Sequence, residues 1–242
     1  MKLFCITIPL FSNTKYYSMV NFIESELSSL KNELDEMWML VYNQLDRAGE
    51  SILTLDRELA RQVIVCEKRV NASELKLDSE VEDIISLYTP AGVDLRFVLA
   101  VLKINTNLER IADFAEGIAR FVEEFPEPVL DPDLLVDLQL NKMITEVLGM
   151  LRLAKEALDK ESIELAGQIF AKDTILDQIN LNSGKVLSRC IIADPSEETI
   201  FTCLNLQSVI RKLERAGDHI TNIAEEIIFF IDAKVLKHSS KD

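Results

Sequence analysis

Three acidic pairs and one acid–amide pair recur at a spacing that chemistry can use. Glu109 and Asp113 stand four residues apart, as do Glu214 and Asp218, and Asp173 and Asp177. Glu67 and Asn71 repeat the interval with an amide as the second member. On a helix, side chains four apart share a face, with Cβ atoms about 5–6 Å from each other. Two carboxylates so placed repel, and something must compensate. Arg110 and Arg215 follow the two glutamates, but one helical step turns each of them to a different part of the surface. Carboxylate oxygens favour a hard cation, so magnesium, calcium, manganese or oxidised iron suits such clusters. The plainer reading of any single pair, in a chain with 41 Asp and Glu, is solvated helix surface.

Other chemistries lack their parts. The two histidines are His219 and His238, and neither completes the Glu-x-x-His pair of di-iron carboxylate bundles. There is no Gly-rich phosphate loop, no nucleophile elbow and no His-Glu-x-x-His zinc motif. The four cysteines (Cys5, Cys66, Cys190, Cys203) form no Cys-x-x-Cys pair, so neither a zinc pattern nor a disulfide framework is expected. Cys66, Cys190 and Cys203 read as small apolar residues of helices, and a reducing cytoplasm suits them. The net charge of −15 repels nucleic-acid phosphates and anionic lipid and suits cations or a basic protein patch.

The elements that must position the pairs are helices. Nearly half of the 242 residues are hydrophobic, and only 7 Gly and 6 Pro interrupt them. A first stripe runs from about Phe22 to Ile52 through Leu30, Leu34, Met37, Val41 and Leu45 at steps of three and four. A second helix starts near Asp56, with Val63, Val70, Leu77, Val81 and Ile84 on its apolar face. Thr89-Pro90 is expected to cap and open a third, which ends near Glu124. Three prolines between Pro126 and Pro132 cannot be helix interior and mark a boundary. A fourth helix follows through Leu140, Val147 and Leu158, a fifth over about Ser162–Cys190, and a sixth over about Ser196–Asp232, with Asp194-Pro195 expected to open it. No apolar stretch reaches the ~18 residues of a membrane span.

The two halves of this plan repeat. Asn107-Leu108-Glu109-Arg110-Ile111-Ala112-Asp113 aligns with Lys212-Leu213-Glu214-Arg215-Ala216-Gly217-Asp218, and Glu109 and Glu214 lie 105 apart. Glu58-Leu59-Ala60 matches Glu164-Leu165-Ala166 at an offset of 106. The expected fold is therefore all-α, with two tandem three-helix bundles related by an internal repeat. Residues 1–18 read as an N-terminal extension or overrun before Met19, 19–125 as the first repeat, 126–132 as a Pro-rich linker, 133–232 as the second repeat and 233–242 as a polar tail. If the second and third helices of each half pack antiparallel, the acidic pairs converge.

The repeated Leu-Glu-Arg-x-x-Asp, continued at Asp218-His219-Ile220-Thr221-Asn222-Ile223-Ala224-Glu225, strongly resembles the PhoU family signature. The acidic pair on the preceding helix and the basic Lys234…Lys237-His238 stretch fit it as well. The resemblance implies a cytoplasmic, often dimeric regulator without catalysis of its own. It implies partnership with the ATPase of a Pst-type phosphate ABC transporter and with a sensor histidine kinase, keeping phosphate uptake and the phosphate-starvation response down. It also implies metal ions (Mg, Mn, Fe or Zn) at Glu109, Asp113, Glu214, Asp218, Asp173, Asp177 and Glu67. Asn71 departs from the acidic motif, and Ala112 stands where the second half has Gly217. Two other readings are a carboxylate-cluster metal-storage or hydrolytic protein, and a partner of a sodium-coupled phosphate carrier.

Overall fold

A computed structural model of the chain describes residues 13–126 and 130–233, with side chains from residue 23 onward. Among them are seven helices and no strand: α1 Asn13–Thr54, α2 Arg57–Tyr88, α3 Val93–Glu124, α4 Pro132–Asp137, α5 Leu140–Asp159, α6 Ile163–Ala193 and α7 Glu197–Asp232. The apolar stripes are the buried faces. Leu30, Leu34, Val41 and Ile52 of α1 are fully enclosed, as are Val70 of α2, Leu108 and Ile118 of α3, and Ile220 and Ile227 of α7. Each such side chain gains roughly 1.5–3 kcal/mol over its exposed state.

The first three helices form one antiparallel bundle and α5–α7 a second. The turns that close the first hairpin of each bundle are built alike. Leu55 and Glu161 both take positive φ (52° and 48°), and each is followed by a residue that caps the next helix. Asp56 accepts hydrogen bonds from the Glu58 and Leu59 amides, and Ser162 from that of Leu165. These contacts satisfy amides that the first helical turn leaves open.

The bundles join along two antiparallel seams, α1 against α5 and α3 against α7. In the first, Trp38 Nε1 donates to the Leu151 carbonyl at 3.3 Å. Gly49 leaves room there for Ile144, whose Cγ2 lies 2.5 Å from where a Cβ would stand. In the second, Arg96 Nε donates to the Phe230 carbonyl and Lys103 Nζ reaches the Glu226 carboxylate, at 3.1 and 2.9 Å. The two interiors merge into one apolar cluster.

Three local expectations are corrected. Thr89 does not cap α3: it ends α2 in the left-handed conformation, and α3 opens at Val93 after Gly92, itself at φ 61°. Asp194 ends α6, and Ser196 caps α7 instead. Asp194 accepts from the Thr199 hydroxyl and from the Ser196 amide and hydroxyl, which hold its carboxyl below the ordinary range. Pro90 and Pro195 thus lie in the turns rather than at N1: Ala91 and Gly92 separate Pro90 from α3, and the capping Ser196 separates Pro195 from α7. The third correction is α4, one short helix more than expected, capped by Asp131 with Pro132 in its first turn. The helix α1 also begins at Asn13, within the segment read as an extension. Residues 1–12, the linker positions 127–129 and the tail from 234 on lie outside the described residues.

Candidate functional site

Antiparallel packing of α2 on α3 brings together carboxylates that the sequence holds some forty residues apart. Glu67 and Glu74 of α2 face Glu109, Asp113 and Glu116 of α3 closely enough for mutual electrostatic repulsion. Glu67 is the innermost, 7% exposed. Gln44 of α1 donates to its Oε2 at 2.7 Å, while Oε1 is buried without a hydrogen-bond partner. Burial, opposed by that bond and reinforced by Asp113, Glu116 and Glu74, raises its pKa. Glu109 goes furthest: burial first, then Asp113, push it up to about 7. Arg110 bridges the pair after all, its guanidinium 3.4 Å from Glu109 Oε2 and 3.1 Å from Asp113 Oδ2. An i,i+3 reach to Asp113 makes this possible, and simple face geometry missed it.

The α6–α7 seam repeats the arrangement with different neighbours. Glu214 lies within electrostatic reach of Asp218 and of Asp177 across the seam, and burial raises its pKa ahead of both. Asp173 sits one turn further along, its Oδ1 3.2 Å from where a Cβ on Gly217 would be. Where the first half has Glu74, the second has Asn180, which hydrogen-bonds to the Glu214 carboxylate and stabilises its ionised form. Asn180 Oδ1 in turn accepts from Gln207 Nε2 at 3.3 Å, and Ser183 Oγ donates to Gln207 Oε1 at 3.0 Å. An amide therefore partly relieves the second cluster, while a further carboxylate loads the first.

Of the seven expected ligands, Glu67, Glu109 and Asp113 meet in one seam, and Asp177, Glu214 and Asp218 in the other, with Asp173 beside Gly217. Asn71 is exposed. Glu74, Glu116 and Asn180 were missed; Glu116 and Asn180 lie one helical turn beyond the expected Asp113 and Asp177, and Glu74 beyond Asn71, all at i+3, where the same face continues. His219 turns away from the acids. Its Nδ1 is 2.8 Å from Asn107 Oδ1 on α3, and its ring packs 5.6 Å from that of Phe114. Arg215 lies over the same Phe114 ring at 4.8 Å.

The donor set fits a hard cation. It is all oxygen, it carries mutual repulsion that a positive ion relieves, and it includes the partnerless buried Glu67 Oε1. As they stand, no three His, Cys, Asp or Glu side chains among the described residues converge as a metal-holding group. A cation would have to draw the carboxylates together by side-chain rotation. No helix of the described residues is long and apolar enough to cross a membrane.

The PhoU domain model matches the chain twice, over residues 34–122 and 140–227, which contain the two acidic seams. A phosphate-specific transport system accessory protein PhoU homolog of Burkholderia sp is 30% identical over 221 residues, covering 90% of this chain and 92% of its own. The phosphate-specific transport system accessory protein PhoU of Escherichia coli K12 is 30% identical over 219 residues, covering 90% and 88%. The crystal structure of PhoU from Pseudomonas aeruginosa superposes with a TM-score of 0.82 at 29% identity, covering 87% of this chain and 99% of that one. A Streptococcus pneumoniae phosphate transport system regulatory protein shares the fold, with a TM-score of 0.77 at 24% identity. Doubled helical plan, doubled signature and doubled domain match agree, and the chain belongs to the PhoU family.

Proposed function

We propose that this protein is a non-enzymatic regulator of phosphate homeostasis that holds down phosphate uptake and the phosphate-starvation response. It acts as a cytoplasmic homodimer, between the ATPase of a Pst-type phosphate ABC transporter and a sensor histidine kinase. The observation that carries this reading is its 30% identity, over 90% of its length, to the Escherichia coli accessory protein of the phosphate-specific transport system. The all-oxygen acidic seams support a second element of the proposal. Glu67, Glu109 and Asp113 in one half, and Asp173, Asp177, Glu214 and Asp218 in the other, take up divalent or trivalent metal ions (Mg, Mn, Fe or Zn). A bound ion would tie α2 to α3 and α6 to α7, stiffening the helix faces a partner reads.

The test is deletion of the gene in its host, with a phosphate-starvation reporter followed in phosphate-rich medium. The reporter is expected to switch on. A reporter that stays silent with normal phosphate uptake overturns the regulatory reading.

A further inference from the structure

Beyond regulation and metal, the far end of the second bundle holds a pair of thiols. Cys190 lies in the last turns of α6 and Cys203 in the second turn of α7. Cys190 continues the inner face that runs through Ser183 and Leu187, and Cys203 begins the one that runs through Leu206 and Ile210. The helices pack antiparallel, so the two residues meet across the seam: the Cys190 thiol is the hydrogen-bonding neighbour of the Cys203 thiol. Both line one cavity of about 360 Å³, bounded on its other side by Phe125 and by Leu130, Asp131 and Leu134 at the start of α4. Its floor is apolar, made by the buried Phe125, Leu130 and Leu134, and its rim is acidic, made by the exposed Asp131, Asp194 and Glu198.

We propose that Cys190 and Cys203 are a peroxide-oxidised dithiol site whose product is a disulfide between α6 and α7. The two thiols differ in the way such a reaction needs. Cys203 is buried, out of the peroxide's reach, and burial followed by contact with Cys190 raises its pKa, so it is not the thiol that starts the reaction. Cys190 is only partly buried and opens on the cavity. Its thiolate attacks one oxygen of hydrogen peroxide; the O–O bond breaks, the departing hydroxide takes up the thiol proton as water, and Cys190 becomes a sulfenic acid. Cys203 then gives up its proton and attacks Cys190 Sγ. The S–O bond breaks and a second water leaves, so one peroxide is reduced by two electrons and two thiols are oxidised to one disulfide. The acidic rim selects the oxidant: it repels anionic disulfides and passes a small neutral peroxide.

The chain itself supplies a convenient readout. No Lys or Arg lies between Arg189 and Arg211, so trypsin releases both thiols in the single peptide 190–211. Cys66 lies on α2, in the peptide 62–68, and reports ordinary thiol oxidation in the same sample. The full chain is treated with hydrogen peroxide, alkylated, digested and weighed by mass spectrometry. The expected 190–211 peptide takes no alkyl group, is lighter by two hydrogen atoms, and regains two alkylation sites after a thiol reductant. Cys203→Ala should instead leave Cys190 as a sulfenic acid that a cyclic diketone traps, and Cys190→Ala should leave Cys203 reduced. A 190–211 peptide that still takes two alkyl groups once Cys66 is oxidised overturns the proposal. So does one in which Cys190 gains oxygen while Cys203 remains alkylable.

Discussion

Gln44 Nε2 lies 2.7 Å from Glu67 Oε2, and this hydrogen bond from α1 is the one that the buried carboxylate receives within the first bundle. The amide also reaches toward the Val63 carbonyl at 3.5 Å. The bond anchors one oxygen of Glu67 and leaves Oε1 to the acidic seam of α2 and α3. At the position of α5 that repeats Gln44, an offset of 106, stands Met150, which offers no such donor. The two seams therefore share a carboxylate pattern and differ in what holds it.

Glu67→Gln tests that arrangement. The neutral amide keeps an acceptor for Gln44 and presents a donor to Asp113, Glu116 and Glu74 in place of a fourth charge. In chelator-treated protein it should stabilise the fold by ~1 kcal/mol, the scale of one net hydrogen bond, read as a higher urea midpoint. The same variant should bind less metal in the first half, measured by elemental analysis.

The pH dependence of the metal-free protein has a definite sign. Burial raises Glu67, Glu74, Glu109 and Glu214 above their ordinary value of 4.5, Glu109 to about 7. Between those limits the folded chain binds more protons than the unfolded one, so these groups make stability fall as pH rises. The advantage is complete below the unfolded value and gone above about 7. Urea midpoints under chelation should therefore be higher at the acid end of that window than above it. Saturating metal should flatten the difference, because the ion binds the ionised carboxylates.

If the seams take up metal as proposed, Glu214→Ala with Asp218→Ala should lower the metal bound by the second half while leaving that bound by the first. Elemental analysis against the reciprocal Glu109→Ala, Asp113→Ala pair measures this. The fold should tolerate the change, because Glu214 loses a desolvated charge as well as its bond from Asn180. Metal content unchanged in both pairs would remove the seams as metal sites.

The helices and their doubling were legible because steps of three and four in Leu, Ile and Val positions are the physical signature of a buried face, and the same faces occur twice. Convergence of the acids was legible only conditionally, since it needs antiparallel packing that no local pattern states. The turns were misread for a local reason: Thr89 and Asp194 have capping side chains, but Gly92, two residues after Pro90, turns the chain at positive φ, and Pro195 is followed by the better-placed Ser196. Asn180 and Gln44 join the clusters through contacts to another helix, which a one-helix projection does not contain, while Arg110 reaches Asp113 at i+3 on its own helix, a contact that placing each arginine by its own angle overlooked. The partnership of His219 with Asn107 crosses between repeats, 112 residues apart, and left no trace in either.

His219 opposes the carboxylates in the pH profile. Asn107 Oδ1 also accepts from Asn222 Nδ2, so it acts as acceptor to His219, whose Nδ1 must carry the hydrogen. Burial first, then Arg215 and Arg110, lower the His219 pKa from 6.5. The unfolded chain thus takes up a proton near 6.5 that the folded chain refuses, and this group makes stability fall as pH drops through that value. His219→Gln keeps an N–H for Asn107 and removes the titration. Its acid-side gain in urea midpoint, under chelation, should be larger than that of the native chain; an identical profile would remove His219 from the balance.

A packing exchange between the repeats gives the sharpest stability test. A Cβ on Gly217 would run into the Leu176 side chain of α6 and come to 3.2 Å from Asp173 Oδ1. At the equivalent positions of the first half stand Ala112 and Val70, both fully buried. One methyl group has moved from the α3 side of its seam to the α6 side of the other, leaving the total nearly constant. Gly217→Ala alone gains ~1 kcal/mol of helix propensity and loses about 1–3 kcal/mol to overpacking, so a net destabilisation is expected. Leu176→Val alone should cost ~1 kcal/mol for the lost methylene. Together they recreate the first-half pair and should return to within ~0.5 kcal/mol of the native chain, a coupling that a double-mutant cycle in urea reads directly. Strict additivity of the two changes would mean that α7 shifts away from α6 when the methyl is added, and that the seam is not held as closely as Gly217 allows.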